Sequence, residues 1–114
     1  MHFPTRRVGY ATVQSYDEAA TARFVVKTTD GGETWRERAL TYDARVREFG
    51  VGFVDANWGW VGASTTGFET RDGGVTWAPV DMGRAVNKIR LLRDGRHFRA
   101  FAIGTEVRRL DGAA

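Results

Sequence analysis

Short apolar runs separated by turn residues recur along the whole chain. Runs such as residues 24–28 and 67–70 mix β-branched and aromatic side chains with polar ones, and Asp-Gly or Gly-Gly pairs follow them. No stretch carries the long 3.6-residue apolar period of an amphipathic helix. The pattern therefore predicts an all-β fold of short antiparallel strands with little or no helix.

One eight-residue motif occurs twice. Residues 28–35 return 42 positions later as residues 70–77, with six of eight positions identical. A repeat at this period is typical of stacked supersecondary units. The identical positions are Thr28, Asp30, Gly31, Gly32, Thr34 and Trp35 in the first copy, and Thr70, Asp72, Gly73, Gly74, Thr76 and Trp77 in the second.

Each copy has the chemistry of a tight turn between two antiparallel strands. The carboxylate of Asp30 or Asp72 accepts backbone N–H groups of its own turn, and the paired glycines take positive φ at no steric cost. We expect Trp35 and Trp77 to lie at the start of the strands that leave the turns and to bury their rings against the next unit. A carboxylate satisfied in this way is a poor catalytic base.

The repeat divides the chain into three units, at about residues 1–45, 46–83 and 84–114. Residues 53–60 align without gaps on residues 3–10, and the first unit carries about eight extra residues, which we place at 17–22. In the last unit, strands are predicted at 87–92, 98–104 and 106–110, and residues 110–112 resemble the start of another motif. Each unit thus consists of about four short strands, the last unit being incomplete.

The motif S/T-x-D-x-G-x-T-W resembles the BNR repeat, or Asp-box. The wider pattern is similar to the blades of the photosystem II stability/assembly factor family and of related bacterial BNR propellers; sialidases and sortilin-type receptors share the box. The resemblance implies a β-propeller, with the box as a structural turn between the third and fourth strands of a blade. It also implies a chaperone-like role in binding a protein partner. The pattern is carried by Phe53, Asp55, Gly59, Trp60, Gly62, Gly67, Thr70, Asp72, Gly73, Gly74, Thr76 and Trp77.

Three blades are fewer than the four to eight with which propellers close. One expectation is that the chain is the last part of a longer propeller, in which a strand from elsewhere completes the final blade. Another is that two chains form a six-bladed ring, each supplying one half. A third alternative is an open, marginally stable arc. The partners expected are therefore the remaining blades, a second copy, or a different protein.

Basic residues are concentrated in the last unit. The chain carries a net charge of +3, but residues 84–109 hold eight basic side chains and two acidic ones. This segment is either the solvated face of a strand or a surface for an acidic partner. Nucleic acid, with Phe98 and Phe101 as stacking platforms, is a weaker alternative. The candidate interaction residues are Arg90, Arg93, Arg96, Arg99, Arg108 and Arg109.

Reactive groups in a catalytic or metal-binding arrangement are absent from the sequence. It has no cysteine, His2 and His97 lack ligand-spaced partners, and no apolar run approaches membrane-spanning length. The start lacks the apolar core of a signal peptide, although proteins of the family are commonly exported, so the sequence assigns no compartment. We expect a non-catalytic protein-interaction or assembly scaffold without cofactor or metal.

The alternative function is that of a fragment of a sialidase-like glycoside hydrolase. That chemistry needs a tyrosine nucleophile activated by a glutamate, together with an arginine cluster. Tyr10, Tyr16 and Tyr42 are the only tyrosines, and Tyr10 occupies the aromatic blade position of Trp60.

Overall fold

The computed structural model describes residues 2–13, 23–41, 48–64, 66–94 and 97–110. Within these ranges the chain forms ten strands and no helix. The strands are β1 (Gly9–Val13), β2 (Arg23–Thr28), β3 (Arg36–Thr41), β4 (Glu48–Phe53), β5 (Gly59–Ala63), β6 (Gly67–Thr70), β7 (Ala78–Val80), β8 (Lys88–Asp94), β9 (His97–Ile103) and β10 (Val107–Arg109).

The strands form three antiparallel sheets in which neighbours along the chain are neighbours in space. The first sheet has the order β1-β2-β3, the second β4-β5-β6-β7 and the third β8-β9-β10. An isolated bridge between His2 and Tyr10 adds the beginning of a further strand next to β1. The predicted all-β fold is confirmed, and the strands of the third sheet lie close to those predicted from its sequence.

Two apolar cores hold the sheets face to face. The first joins Tyr10, Val25 and Leu40 of the first sheet to residues of the second, and the Tyr10 ring stacks on Phe53 with centroids 3.6 Å apart. The second core lies between the second and third sheets, where it contains Trp60 and Ile89. Tyr10 and Trp60 therefore occupy equivalent places in successive interfaces, as their alignment predicts. Ring burial of this kind supplies most of the favourable free energy at each interface.

Glycines on the second sheet allow the third sheet to approach closely. A Cβ placed on Gly52 would lie 2.6 Å from Cγ2 of Ile89, and one on Gly62 would lie 2.4 Å from Cγ1 of Val86. Gly67 is covered in the same way by Met82, which like Val86 belongs to the connection between β7 and β8. The second sheet thus presents glycines next to the large Trp60 ring on the face toward its neighbour.

The two repeated tryptophans do not bury their rings against the next unit, contrary to the sequence prediction. Each ring folds back over its own turn, because its Nε1–H donates to a turn carbonyl: Trp35 to Gly32 and Trp77 to Gly74, both at 3.1 Å. The Trp35 side chain is consequently exposed. Trp77 is half-buried and packs on the core shared with the preceding sheet.

Several sequence predictions concern residues outside the described ranges. They are the insertion of about eight residues, placed around 17–22, the third motif from Asp111 onward, and the tyrosines Tyr16 and Tyr42.

Candidate protein-interaction surface

The two Asp-box turns share one hydrogen-bond pattern. The Thr28 hydroxyl donates to Oδ1 of Asp30 at 2.7 Å and accepts from the Gly32 N–H at 2.9 Å. Asp30 also accepts from both the N–H and the hydroxyl of Thr34. The box in the second sheet repeats these contacts with Thr70, Asp72, Gly74 and Thr76.

The box carboxylates are held ionised by their own turns. Hydrogen bonds, chiefly from the Thr34 hydroxyl and N–H, lower the pKa of Asp30 to about 2, and the equivalent bonds from Thr76 lower that of Asp72 to about 2. A carboxylate with this pKa remains an anion at neutral pH and is a weak proton acceptor. The four box glycines, at positions 31, 32, 73 and 74, have positive φ, which lets the chain turn around the carboxylate.

Each box is fixed to a turn in its own unit, the one that precedes β1 in the first sheet or β5 in the second. Gly31 N–H donates to the Arg7 carbonyl at 2.9 Å, and Gly73 N–H donates to the Asn57 carbonyl at 3.0 Å. Within the second of these turns, Oδ1 of Asp55 accepts the backbone N–H groups of Asn57 and Trp58. The polar residues of the repeat therefore serve local turns.

Tyr10 is placed where its phenol cannot act as a nucleophile. Its side chain is fully buried, and its hydroxyl donates to the Ala56 carbonyl at 2.6 Å. Burial raises the pKa of Tyr10 to about 12, which keeps the oxygen protonated at neutral pH. The sialidase alternative gains no support from this tyrosine.

The structure divides the candidate arginines between the two faces of the third sheet. Arg90 and Arg99 are exposed on the face that points away from the second sheet, and the register places Arg109 on that same face. Arg108 lies on the opposite face, where it pairs with Asp81 at 3.1 Å and with Glu106 at 2.8 Å. The side chain of Arg93 and the whole of Arg96 lie outside the described part of the chain.

We call the face of the third sheet that points away from the second sheet the outer face. Antiparallel register places residues that are directly opposite one another on the same face. Lys88, which the sequence prediction did not include, joins the arginines here, and no described side chain on this face is acidic; that of Asp94, at the end of β8, is not described. The described side chains on the outer face are Lys88, Arg90, Leu92, His97, Arg99, Phe101, Ile103, Val107 and Arg109.

An aromatic cluster not predicted from the sequence adjoins the second core. The Glu69 carboxylate accepts the indole N–H of Trp60 at 2.9 Å and that of Trp58 at 3.3 Å. It also pairs with Arg71, whose guanidinium lies 4.5 Å from the Trp58 ring centroid. These contacts use the polar atoms of both indoles, so the cluster is a structural part of the blade. The only sequence signal for this cluster is the two-residue spacing of Trp58 and Trp60, because alternate residues of a strand lie on the same face.

A cavity of about 190 Å³ lies where the three sheets meet. Its walls are mostly apolar, and burial lowers the pKa of the half-buried His2 at one side. No sequence signal marks this cavity, because its walls come from three separate units. The lining residues are His2, Phe3, Pro4, Phe53, Val54, Leu91 and Phe98.

Metal-binding clusters and membrane-spanning helices are both absent from the described ranges. These residues contain no group of three or more His, Cys, Asp or Glu side chains placed to hold a metal ion. Over the same ranges, the chain has no helix long and apolar enough to cross a bilayer.

Comparison with known proteins identifies the architecture. No protein-family model matches the chain, and no curated protein matches it. Among solved structures, it is similar to "YCF48 bound to D1 peptide", with 25% sequence identity over 95% of this chain and a TM-score of 0.67. YCF48 is a β-propeller. The chain is a partial β-propeller.

The three sheets are therefore blades, and the four-stranded second sheet is the most complete of them. The match covers 35% of the YCF48 chain, so this chain spans about a third of that protein's length.

Proposed function

We propose that this chain is a non-catalytic propeller module that binds a segment of a protein partner and acts as an assembly scaffold. The observation that carries the proposal is the similarity, over 95% of the chain, to a propeller solved with a peptide bound. The Asp-box carboxylates and the Tyr10 phenol, both occupied in structural hydrogen bonds, are consistent with a module that performs no chemistry of its own.

Peptide binding can be tested before the partner is identified. A random peptide display library is selected against the folded chain, and recovered peptides are measured by fluorescence anisotropy. We expect saturable binding of several related peptides.

The control is a variant in which one Asp-box turn cannot form. Gly73→Val places a β-branched side chain at φ +76°, in a site where even a Cβ would lie 2.8 Å from Nζ of Lys27. Peptides that recognise the folded module should not bind this variant. The proposal is contradicted if the library yields no saturable binder, or if every binder recognises Gly73→Val equally well.

A further inference from the structure

We propose that the outer face of the third sheet is the contact surface, and that its partner is an extended acidic segment. The pattern that fits is acid-x-acid-x-apolar, read along one strand. This inference rests on the proposed protein-binding function and specifies where and what the module binds.

Charge and register together define this pattern. Along β8, Lys88 and Arg90 are exposed on the outer face, followed by Leu92, which is 54% exposed. Because a strand rises about 3.3 Å per residue, alternate residues stand about 7 Å apart. An extended partner has the same spacing, so carboxylates at positions i and i+2 oppose the two cations and an apolar side chain at i+4 opposes Leu92.

Neighbouring strands extend the surface around this row. Arg99 lies opposite Leu92, and Phe101 lies opposite Arg90. On β10, Val107 is 64% exposed. Cations next to apolar side chains favour a partner that brings both carboxylates and apolar groups, because buried charges must be paired.

The second blade shows what a surface for a further blade looks like in this chain. Its face toward the third blade contains Gly52, which leaves room for Ile89, together with Trp60 and Glu69. Gly62 and Gly67 on this face are covered by Val86 and Met82 of the connection between β7 and β8. The outer face of the third blade instead carries the long cationic side chains of Lys88, Arg90 and Arg99. If a blade covered this face, each cation would need a polar partner, such as the Gly73 carbonyl of the second blade that accepts from Lys27 of the first at 2.9 Å. An acidic segment supplies a charged partner for each of these cations.

The test uses the full chain and a synthetic fluorescein-labelled probe. The probe contains Glu-Ser-Glu-Ser-Leu, and a scrambled peptide of the same composition places its two Glu residues next to each other, on opposite sides of an extended strand. Binding is followed by anisotropy at low and high salt. We expect saturable binding of the probe that weakens with salt, and binding of the scrambled peptide at least about threefold weaker.

Charge reversal locates the site. Arg90→Glu/Arg99→Glu should weaken probe binding by about tenfold or more, since two attractions become repulsions. The matched control, Arg6→Glu/Arg36→Glu, makes the same change in net charge at exposed positions of the first blade and should leave binding nearly unchanged. Leu92→Ser, at a largely exposed position, should weaken binding severalfold without affecting the fold.

Four results would overturn the inference. They are the absence of saturable probe binding, equal losses in the two double variants, equal binding of the scrambled peptide, and tighter binding of single-stranded DNA of equal charge than of the probe. A fifth such result comes from light scattering. If the wild type is a dimer and Arg90→Glu/Arg99→Glu is a monomer, a second copy of the chain covers the face. If library peptides still bind that variant, the protein-binding function survives and only its location is wrong.

Discussion

At the residue scale, the repeated Asp-box residues each have an identified structural partner. Thr, Asp and Gly in the motif close a turn through five hydrogen bonds, and the same bonds recur in both copies. Turn chemistry is local, so the sequence alone identified these residues. The direction of the two Trp rings was not predictable in this way, because it depends on the carbonyl that each indole N–H reaches.

The lowered pKa values of Asp30 and Asp72 predict an acid-sensitive fold. Each pKa falls from 3.8 to about 2, so the ionised carboxylates contribute stability above pH 3.8 that is lost as the pH falls through about 2. We expect the melting temperature of the wild type to drop between pH 4 and pH 2. The drop should be smaller in the double variant Asp30→Asn/Asp72→Asn. Circular dichroism measures the melting temperature of both proteins. An equal drop in both proteins would show that other carboxylates control acid unfolding.

Tyr10 provides a second test at the same scale. Tyr10→Phe keeps the ring stacked on Phe53 but leaves the Ala56 carbonyl without its donor. We expect the free energy of unfolding to fall by about 1 kcal/mol. Tyr10→Ala, which also removes the buried ring, should cost roughly 3–5 kcal/mol by analogy with other aromatic truncations. Urea unfolding measures both, and an unchanged midpoint for Tyr10→Phe would mean that water replaces the hydroxyl.

At the scale of the elements, strand positions were predictable and strand faces were not. The apolar runs located the three strands of the third blade to within a few residues. The face on which a side chain lies depends on register, which is a non-local property. Counting charges therefore grouped Arg108 with Arg90 and Arg99, whereas the structure places it on the opposite face in a pair with Asp81. Lys88 was counted among the eight basic side chains but left out of the candidate list, and register places it on the same face as Arg90.

Packing between the second and third blades depends on Gly52. Gly52→Ala places a Cβ 2.6 Å from Cγ2 of Ile89, so we expect overpacking to cost about 1–3 kcal/mol of unfolding free energy. Ile89→Ala removes the clashing atoms. The double variant should therefore lose less stability than the sum of the two single variants, as a double-mutant cycle from urea unfolding would show. Additive losses would mean that the two residues do not share a tight contact.

At the scale of the whole molecule, the described strands form three blades, and the first and third blades differ in what they present on the sides away from the second. Next to β1, the described residues add only the bridge between His2 and Tyr10, while the outer face of the third blade is basic. The repeat and its period predicted the propeller architecture, since they set the size and strand content of a blade. The repeat did not predict the cavity between the three blades, because the cavity depends on how separate units pack.

Binding of an acidic segment by the outer face of the third blade is the central claim at this scale. The most direct measurement is a titration of the isotope-labelled chain with the Glu-Ser-Glu-Ser-Leu probe, followed by amide chemical shifts in NMR spectra. We predict saturating shifts concentrated in β8 and β9, around Arg90, Leu92 and Arg99. Shifts concentrated at the cavity around His2 and Phe53, or spread evenly over the basic residues of all three blades, would contradict the claim.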